Sequence, residues 1–251
     1  PFPEKVLRAA ADKCKAFLCV EMNMGQMIED VKLATECKKP VYLCNRTGGM
    51  IPAPEQVLAA ITELRQICGH PSLVLPSYAA SSGKLDLLLD ILPGSLEAGH
   101  RALIFSQFTR MLKILQRRLE AEGIECMYLD GETPPKRRIE MVDQFNGGKA
   151  QVFLISLKAG GSGLNLVGAD TVIHFDPWWN PAVENQATDR AHRIGQTKVV
   201  QVLKLVAIGT IEEKICELKK LKQKMVDSVL ETGETMLSTL TFEEIKWLFN
   251  E

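Results

Sequence analysis

Short apolar segments alternating with helical stretches place the tightest constraint on what this chain can fold into. Ala102 to Phe105, Cys126 to Leu129, Val152 to Ile155, Thr171 to Phe175 and Val199 to Leu205 are rich in β-branched and apolar residues. Between them lie Phe108 to Glu122, where Met111, Leu112, Leu115 and Leu119 form one stripe at helical spacing, Pro135 to Phe145, and a polar stretch from Ala182 to His192. Strands apolar on both faces and joined by helices pair in parallel and are covered on both sides. The pattern therefore predicts an α/β fold built on a doubly wound, mostly parallel sheet. A long charged helix is predicted over Ile211 to Leu230 and a short one over Phe242 to Phe249.

Residues 1–61 form a smaller α/β pattern. It reads as a helix over about Glu4 to Cys14, a strand from Ala16 to Glu21, a helix from Met24 to Thr35 and a strand from Pro40 to Cys44. A turn at Gly48-Gly49, where positive φ is expected, precedes a helix after Pro54. Val57, Leu58, Ile61, Leu64 and Ile67 keep helical spacing from Pro54 to Cys68, so this helix should dock the two parts rigidly. The expected divisions are 1–61, 62–209 and 210–251.

With 46% hydrophobic and 24% charged residues, the 251-residue chain is of ordinary globular type, which excludes collagen-like, disordered and disulfide-scaffold readings. Seven cysteines sit at spacings that match no zinc or redox pattern, so reduced thiols and no metal site are expected. Thirty basic residues balance 31 acidic ones, so any nucleic-acid contact must be local. No apolar run has the length of a membrane span and the first residues do not read as a signal peptide. A cytoplasmic setting without membrane contact is expected.

Three clusters could carry chemistry. The loop Ser156 to Asn165 follows a buried strand, and Gly160, Gly161 and Gly163 let backbone amides approach a phosphate, with Ser156, Lys158 and Ser162 adding polar groups. A tight turn explains the same glycines. Gln186, Arg190 and Arg193 fall at i, i+4 and i+7, one face of a helix, and guanidinium forks suit the charge of a transferring phosphoryl group. A solvated face paired with Asp189 and Glu184 is the plainer reading. Trp178 and Trp179, set between Pro177 and Pro181, either anchor their loop or act as a lever. His174 reads as structural and His192 as supporting; Lys136-Arg137-Arg138 could meet phosphate, while Lys219, Lys220, Lys222 and Lys224 read as a wet helical face.

Taken in order, these clusters resemble the carboxy-terminal motor lobe of the SWI/SNF-type ATPases of helicase superfamily 2. The matching stretches are Leu64 to Pro71, Ser81 to Leu85, Leu103 to Phe108, Tyr128 to Gly131, Ser156 to Leu166, Asp176 to Pro181, Gln186 to Gln196 and Gly209 to Ile215. The resemblance covers about residues 62–249 and implies a RecA-like lobe that forms one wall of an ATP cleft and half of a double-stranded DNA track. It implies that Arg190 and Arg193, with Gln186, act on the triphosphate, and that Gly161 and Gly163 belong to the nucleotide-facing wall. Ser106, Gln107, Ser156 and Lys158 then meet DNA, Trp178 and Trp179 couple DNA contact to hydrolysis, and Ile211 to Leu230 braces both lobes. These 251 residues hold no Gly-x-x-x-x-Gly-Lys-Ser/Thr loop, and Ser82-Gly83-Lys84 lacks its flanks. ATP and Mg2+ are therefore expected only when a first RecA-like lobe completes the site, and the chain alone is expected to be inactive.

The amino-terminal stretches Phe17 to Met27 and Arg46 to Pro52 resemble the end of the alpha chain of 2-oxoacid:ferredoxin oxidoreductases, where this region belongs to a transketolase-C-terminal-like domain. No thiamine-diphosphate or iron-sulfur motif accompanies them, so the redox activity does not transfer. Two partial resemblances meeting near Ala60 suggest a fused reading frame or a chimera. The rival functions are a non-catalytic DNA-binding module and a fragment of an oxidoreductase subunit.

Overall fold

One helix leads from a small amino-terminal unit into the part that holds the main sheet. A computed structural model describes residues 2–21, 25–45, 54–160 and 163–228. In the amino-terminal unit, α1 (Glu4–Ala11), β1 (Phe17–Glu21), α2 (Gln26–Ala34) and β2 (Val41–Asn45) bring two parallel strands together, with Phe17 opposite Val41. Cys19, Ile28 and Val31 form its apolar centre. The buried Glu21 carboxylate accepts hydrogen bonds from the Met27 and Ile28 amides at 2.8 and 3.2 Å, so a negative charge closes the positive end of α2.

Helix α3 (Pro54–Gly69) runs unbroken across the expected junction, and a 3-10 turn (Pro71–Leu73) follows it. The next helix, α4 (Gly83–Glu97), was not expected from the sequence, because Pro93-Gly94 interrupts its leucine run. Two things compensate. Ser82 caps the start, its hydroxyl accepting from the Leu85 amide and donating to the Gly69 carbonyl, and Leu88 and Leu92 are fully buried.

The remaining elements are β3 (Ala102–Ser106), α5 (Thr109–Ala121), β4 (Cys126–Leu129), α6 (Pro135–Asn146), β5 (Val152–Ser156), the single turn α7 (Leu157–Gly160), β6 (Thr171–His174), α8 (Pro181–Thr188), β7 (Gln201–Lys204) and α9 (Ile211–Ser228). The five-stranded sheet has the order β4-β5-β3-β6-β7 and every pair is parallel, as the alternation predicts. Alternate residues serve opposite faces. Ala102, Ile104, Val152, Leu154 and Ile173 meet the leucines of α4 and the stripe of α5, while Leu103, Phe105, Phe153, Ile155 and Val172 meet α6, α7 and α8. The helix after β3 thus covers one face and the helices after β5 and β6 cover the other. Such a reversal opens a crevice at the carboxyl ends of the strands.

The expected helix from Ala182 to His192 is corrected: α8 ends at Thr188, Asp189 to Ala191 form a turn, and the chain bends at His192 and Arg193. The chain tightens there through bonds from the Arg190 amide to the Ala187 carbonyl and from the Ala191 amide to the Thr188 carbonyl. The Arg190 carbonyl meanwhile accepts from the Leu166 amide at 2.8 Å, which ties this turn to the exit of the glycine-rich loop. Strand β7 is shorter than the expected Val199 to Leu205, and α1 stops before Cys14. The Gly48-Gly49 turn, Gly161, Ser162 and the helix expected over Phe242 to Phe249 lie outside the described residues. Among the described residues, no helix is long and apolar enough to cross a membrane.

Candidate nucleotide and nucleic-acid site

Strands β3 and β5 end side by side in Ser106 and Ser156. Both serines are buried, and their hydroxyls act locally: Ser106 Oγ accepts from the Phe108 amide at 3.1 Å and Ser156 Oγ from the Ala159 amide at 3.3 Å. Both side chains thus turn the chain out of the sheet from within. Lys158, on the single turn after β5, is exposed and faces water.

Gln107 follows β3 and Asp176 follows β6, and the Gln107 amide donates to Asp176 Oδ2 at 3.1 Å. A residue without an assigned role in the sequence reading, Arg65 of α3, closes this cluster. Fully buried, it donates from Nη1 to Gln107 Oε1 at 3.0 Å and from Nη2 to the Pro177 carbonyl at 2.5 Å. Its guanidinium lies 4.8 Å from the Trp179 ring centroid and 5.4 Å from that of Trp178, and the two indoles stack at 4.0 Å. Burial lowers the Arg65 pKa from its usual value, opposed by Asp176, Glu212 and Glu184. Its spacing from Ile61 and Cys68, both buried, was the available signal: i, i+4 and i+7 on one helical face.

The loop after β6 is anchored by Glu184 of α8. This buried carboxylate accepts from the Trp178 amide at 2.7 Å, from Lys204 at 2.8 Å and from Lys219 of α9 at 2.7 Å. Burial alone would raise the Glu184 pKa, but the two lysines and the amide hold it below the usual value. Two expectations are corrected here. Glu184 does not serve a solvated arginine face, and Lys219 is buried with it rather than lying on a wet one.

Gln186, Arg190 and Arg193 do not share a helical face, because α8 ends before the arginines. Gln186 is exposed on α8, Arg193 is exposed beyond the turn, and Arg190 is turned inward at 4% exposure. Burial lowers the Arg190 pKa, with the neighbouring Arg193 adding to the shift and Asp189 opposing it. Arg193 Nη1 donates to the carbonyl of Gly163 at 3.4 Å. Gly163 has φ of +69°, a conformation glycine adopts without strain. Gln196 fixes the segment further through carboxamide bonds to the Val167, Ala169 and Ala191 carbonyls. The structure thus joins the glycine-rich loop to the arginine segment, and sets one cation at the surface with a second behind it. A surface cation braced by a carbonyl suits an anion approaching from outside. Among the described residues, no three His, Cys, Asp or Glu side chains come together as a metal site.

Comparisons with known proteins give the family of the larger part of the chain. Residues 83–195 match the helicase conserved C-terminal domain, and residues 1–57 match pyruvate:ferredoxin oxidoreductase core domain II. The fold and site define a helicase-type RecA-like lobe. More particularly, the chain carries the carboxy-terminal RecA-like lobe of a SWI/SNF-type ATPase. An uncharacterized ATP-dependent helicase of Mycoplasma pneumoniae is 41% identical over 247 residues, covering 98% of this chain and 23% of that protein. The putative ATP-dependent helicase/translocase YwqA of Bacillus subtilis is 40% identical over 199 residues, covering 77% and 22%. The chain therefore spans under a quarter of the length of these relatives. The Sulfolobus solfataricus SWI2/SNF2 ATPase C-terminal domain superposes with a TM-score of 0.62 at 28% identity, covering 93% of this chain and 96% of that one. The core of the same ATPase in complex with dsDNA gives 0.59 at 29% identity, covering 88% and 55%. At 98% coverage, the Mycoplasma alignment reaches into the amino-terminal unit, so that unit has a counterpart in a helicase.

Proposed function

We propose that this chain is the second motor lobe of a SWI/SNF-type DNA-dependent ATPase or translocase, completed by a first RecA-like lobe that holds ATP and Mg2+. The observation that carries this reading is Arg193, braced on the Gly163 carbonyl at the carboxyl edge of the sheet. From there its guanidinium meets a triphosphate presented by the other lobe and neutralises charge that grows as the terminal phosphoryl leaves, an effect worth roughly 10³–10⁵ in rate. Arg190, buried behind it, adds positive potential and sets the turn, while Gln186 lines the approach. Bound ATP with Mg2+ supplies the phosphoryl group transferred to water. Gly161 and Gly163 let the loop approach that nucleotide closely.

Duplex DNA runs past the opposite part of the same edge. Lys158 contacts its backbone, the Gln107 loop meets one strand, and the stacked Trp178 and Trp179 pass that contact to the arginine segment through Glu184, which holds the Trp178 amide. In a prokaryote a lobe with this role acts in the cytoplasm, on the nucleoid. The amino-terminal unit serves as a packing element and carries no redox chemistry.

The test is reconstitution. The chain alone should hydrolyse ATP at background rate, and adding a separately made first lobe with duplex DNA should restore turnover. DNA-stimulated hydrolysis by the isolated chain would overturn the division of the site. Affinity for duplex that does not change with salt would remove the phosphate contacts.

A further inference from the structure

Arg65 stands in the interior, where a charge is costly unless firmly held. Its holders come from two loops that are far apart in the chain: Gln107 after β3, and Pro177, Trp178 and Trp179 after β6. Phe108 of the first loop completes the aromatic surround at 5.7 Å. Arg65 thus bridges the loop read as meeting DNA and the loop read as transmitting that contact.

The cluster is also incompletely satisfied. Arg65 Nε, Gln107 Nε2 and Asp176 Oδ1 are all buried without a hydrogen-bond partner. Buried groups are normally paired, and orphans gathered in one place mark a functional or strained site. Here a donor on Arg65 and an acceptor of opposite charge on Asp176 are both free. If Gln107 swings toward DNA, Arg65 loses one acceptor but keeps the Pro177 carbonyl, with the Asp176 charge acting on it favourably. The cluster can therefore rearrange without stranding the buried charge.

We propose that Arg65 is a positioning residue that ties the Gln107 loop to the Trp178–Trp179 loop, so that DNA contact at the first displaces the second. This rests on the reading of Gln107 as part of the DNA track. A clamp of purely structural purpose would lower stability when broken but leave the response of the tryptophans to DNA intact.

The chain contains three tryptophans, so a Trp247→Phe background leaves Trp178 and Trp179 as the emitters. The experiment follows their emission while a short fluorescein-labelled duplex is titrated, with anisotropy of the label reporting binding. The parent should bind and shift its emission. Arg65→Met and Arg65→Lys should bind within about threefold of the parent yet lose most of the shift, since lysine cannot reproduce a two-acceptor, ring-stacked guanidinium. If Arg65→Met fails to fold by circular dichroism, Arg65→Lys, which keeps the charge, decides the matter. A full emission shift in Arg65→Lys overturns the proposal, and so does a loss of affinity that matches the loss of signal. A parent that binds no duplex by anisotropy overturns the DNA reading, and the proposal falls with it; that failure is distinct, because binding is read separately from emission.

Discussion

Lys84 and Glu212 stand 128 residues apart in the chain and meet in the interior, with the ammonium 2.8 and 2.9 Å from the two carboxylate oxygens. The pair fastens the first turn of α4 to the first turn of α9, and the same carboxylate also accepts from the Ala207 amide. Lys84 lies under the Phe175 ring at 5.1 Å, so the lysine of Ser82-Gly83-Lys84 is a structural tie rather than a phosphate ligand.

Breaking this pair from one side leaves a buried charge alone. Lys84→Met is expected to cost about 3–5 kcal/mol of stability, while Lys84→Met with Glu212→Leu should cost much less than the sum of the single changes. Urea unfolding of the three variants checks this, and additive losses would show that the partners are not coupled.

The amino-terminal unit touches the motor lobe at Gly209. This glycine has φ of +70°, and a Cβ there would stand 2.9 Å from the Lys13 carbonyl oxygen. Gly209→Ala should therefore destabilise the chain by about 1–3 kcal/mol and raise proteolysis between residues 1 and 21. Unchanged cleavage in that stretch would mean that the contact does not hold the unit down.

The two arginines should separate by their burial. In the reconstituted motor, Arg193→Ala is expected to lower DNA-stimulated turnover by roughly 10³-fold or more with little change in melting temperature or DNA affinity. Arg190→Ala removes a buried side chain and should lower both turnover and stability. Turnover and melting curves for both variants decide it, and an unstable Arg193→Ala would place that residue in the scaffold.

Two buried groups give stability a defined dependence on acid. Burial holds His174 down to about 4, and its Nε2 shares a 3.0 Å hydrogen bond with Thr188. A histidine whose folded pKa lies below its usual 6.5 contributes fully above 6.5 and loses that contribution as pH falls toward 4. Burial alone would raise Asp170, but bonds from Lys198, the Arg101 amide and His100 outweigh it and bring the carboxyl to about 2. Its contribution is complete above 3.8 and is lost between there and 2. Urea midpoints measured against pH should thus fall in two adjoining windows. His174→Gln should flatten the upper one and Asp170→Asn the lower, and a profile that neither variant alters would count against both assignments.

Much of the sheet is legible in the residues themselves. Cys126 to Leu129 is a strand as expected, and β3 and β5 extend the expected segments by one serine each. The helical stripe of Met111, Leu112, Leu115 and Leu119 is wholly buried. These features follow from local periodicity, because side chains two or 3.6 residues apart share a face whatever surrounds them. Helix α4 escaped because Pro93 disrupts the local pattern, and distant apolar partners outweigh it. The arginine face failed for the converse reason: its local spacing is helical, but a hydrogen bond from Leu166 pins the chain into a turn before the second arginine is reached.

Alternation and motif order were enough to establish a parallel, helix-covered sheet with a motor lobe's loops at its carboxyl edge. Tertiary structure alone decided which charges are enclosed in the scaffold and which stand at the surface. Arg65, Lys84, Glu184 and Lys219 look like surface residues in the sequence, yet each is buried against partners brought from elsewhere in the chain. The physical reason is that desolvation and pairing depend on neighbours in space, so the same charged residue type is exposed at Arg193 and enclosed at Arg190 three positions earlier.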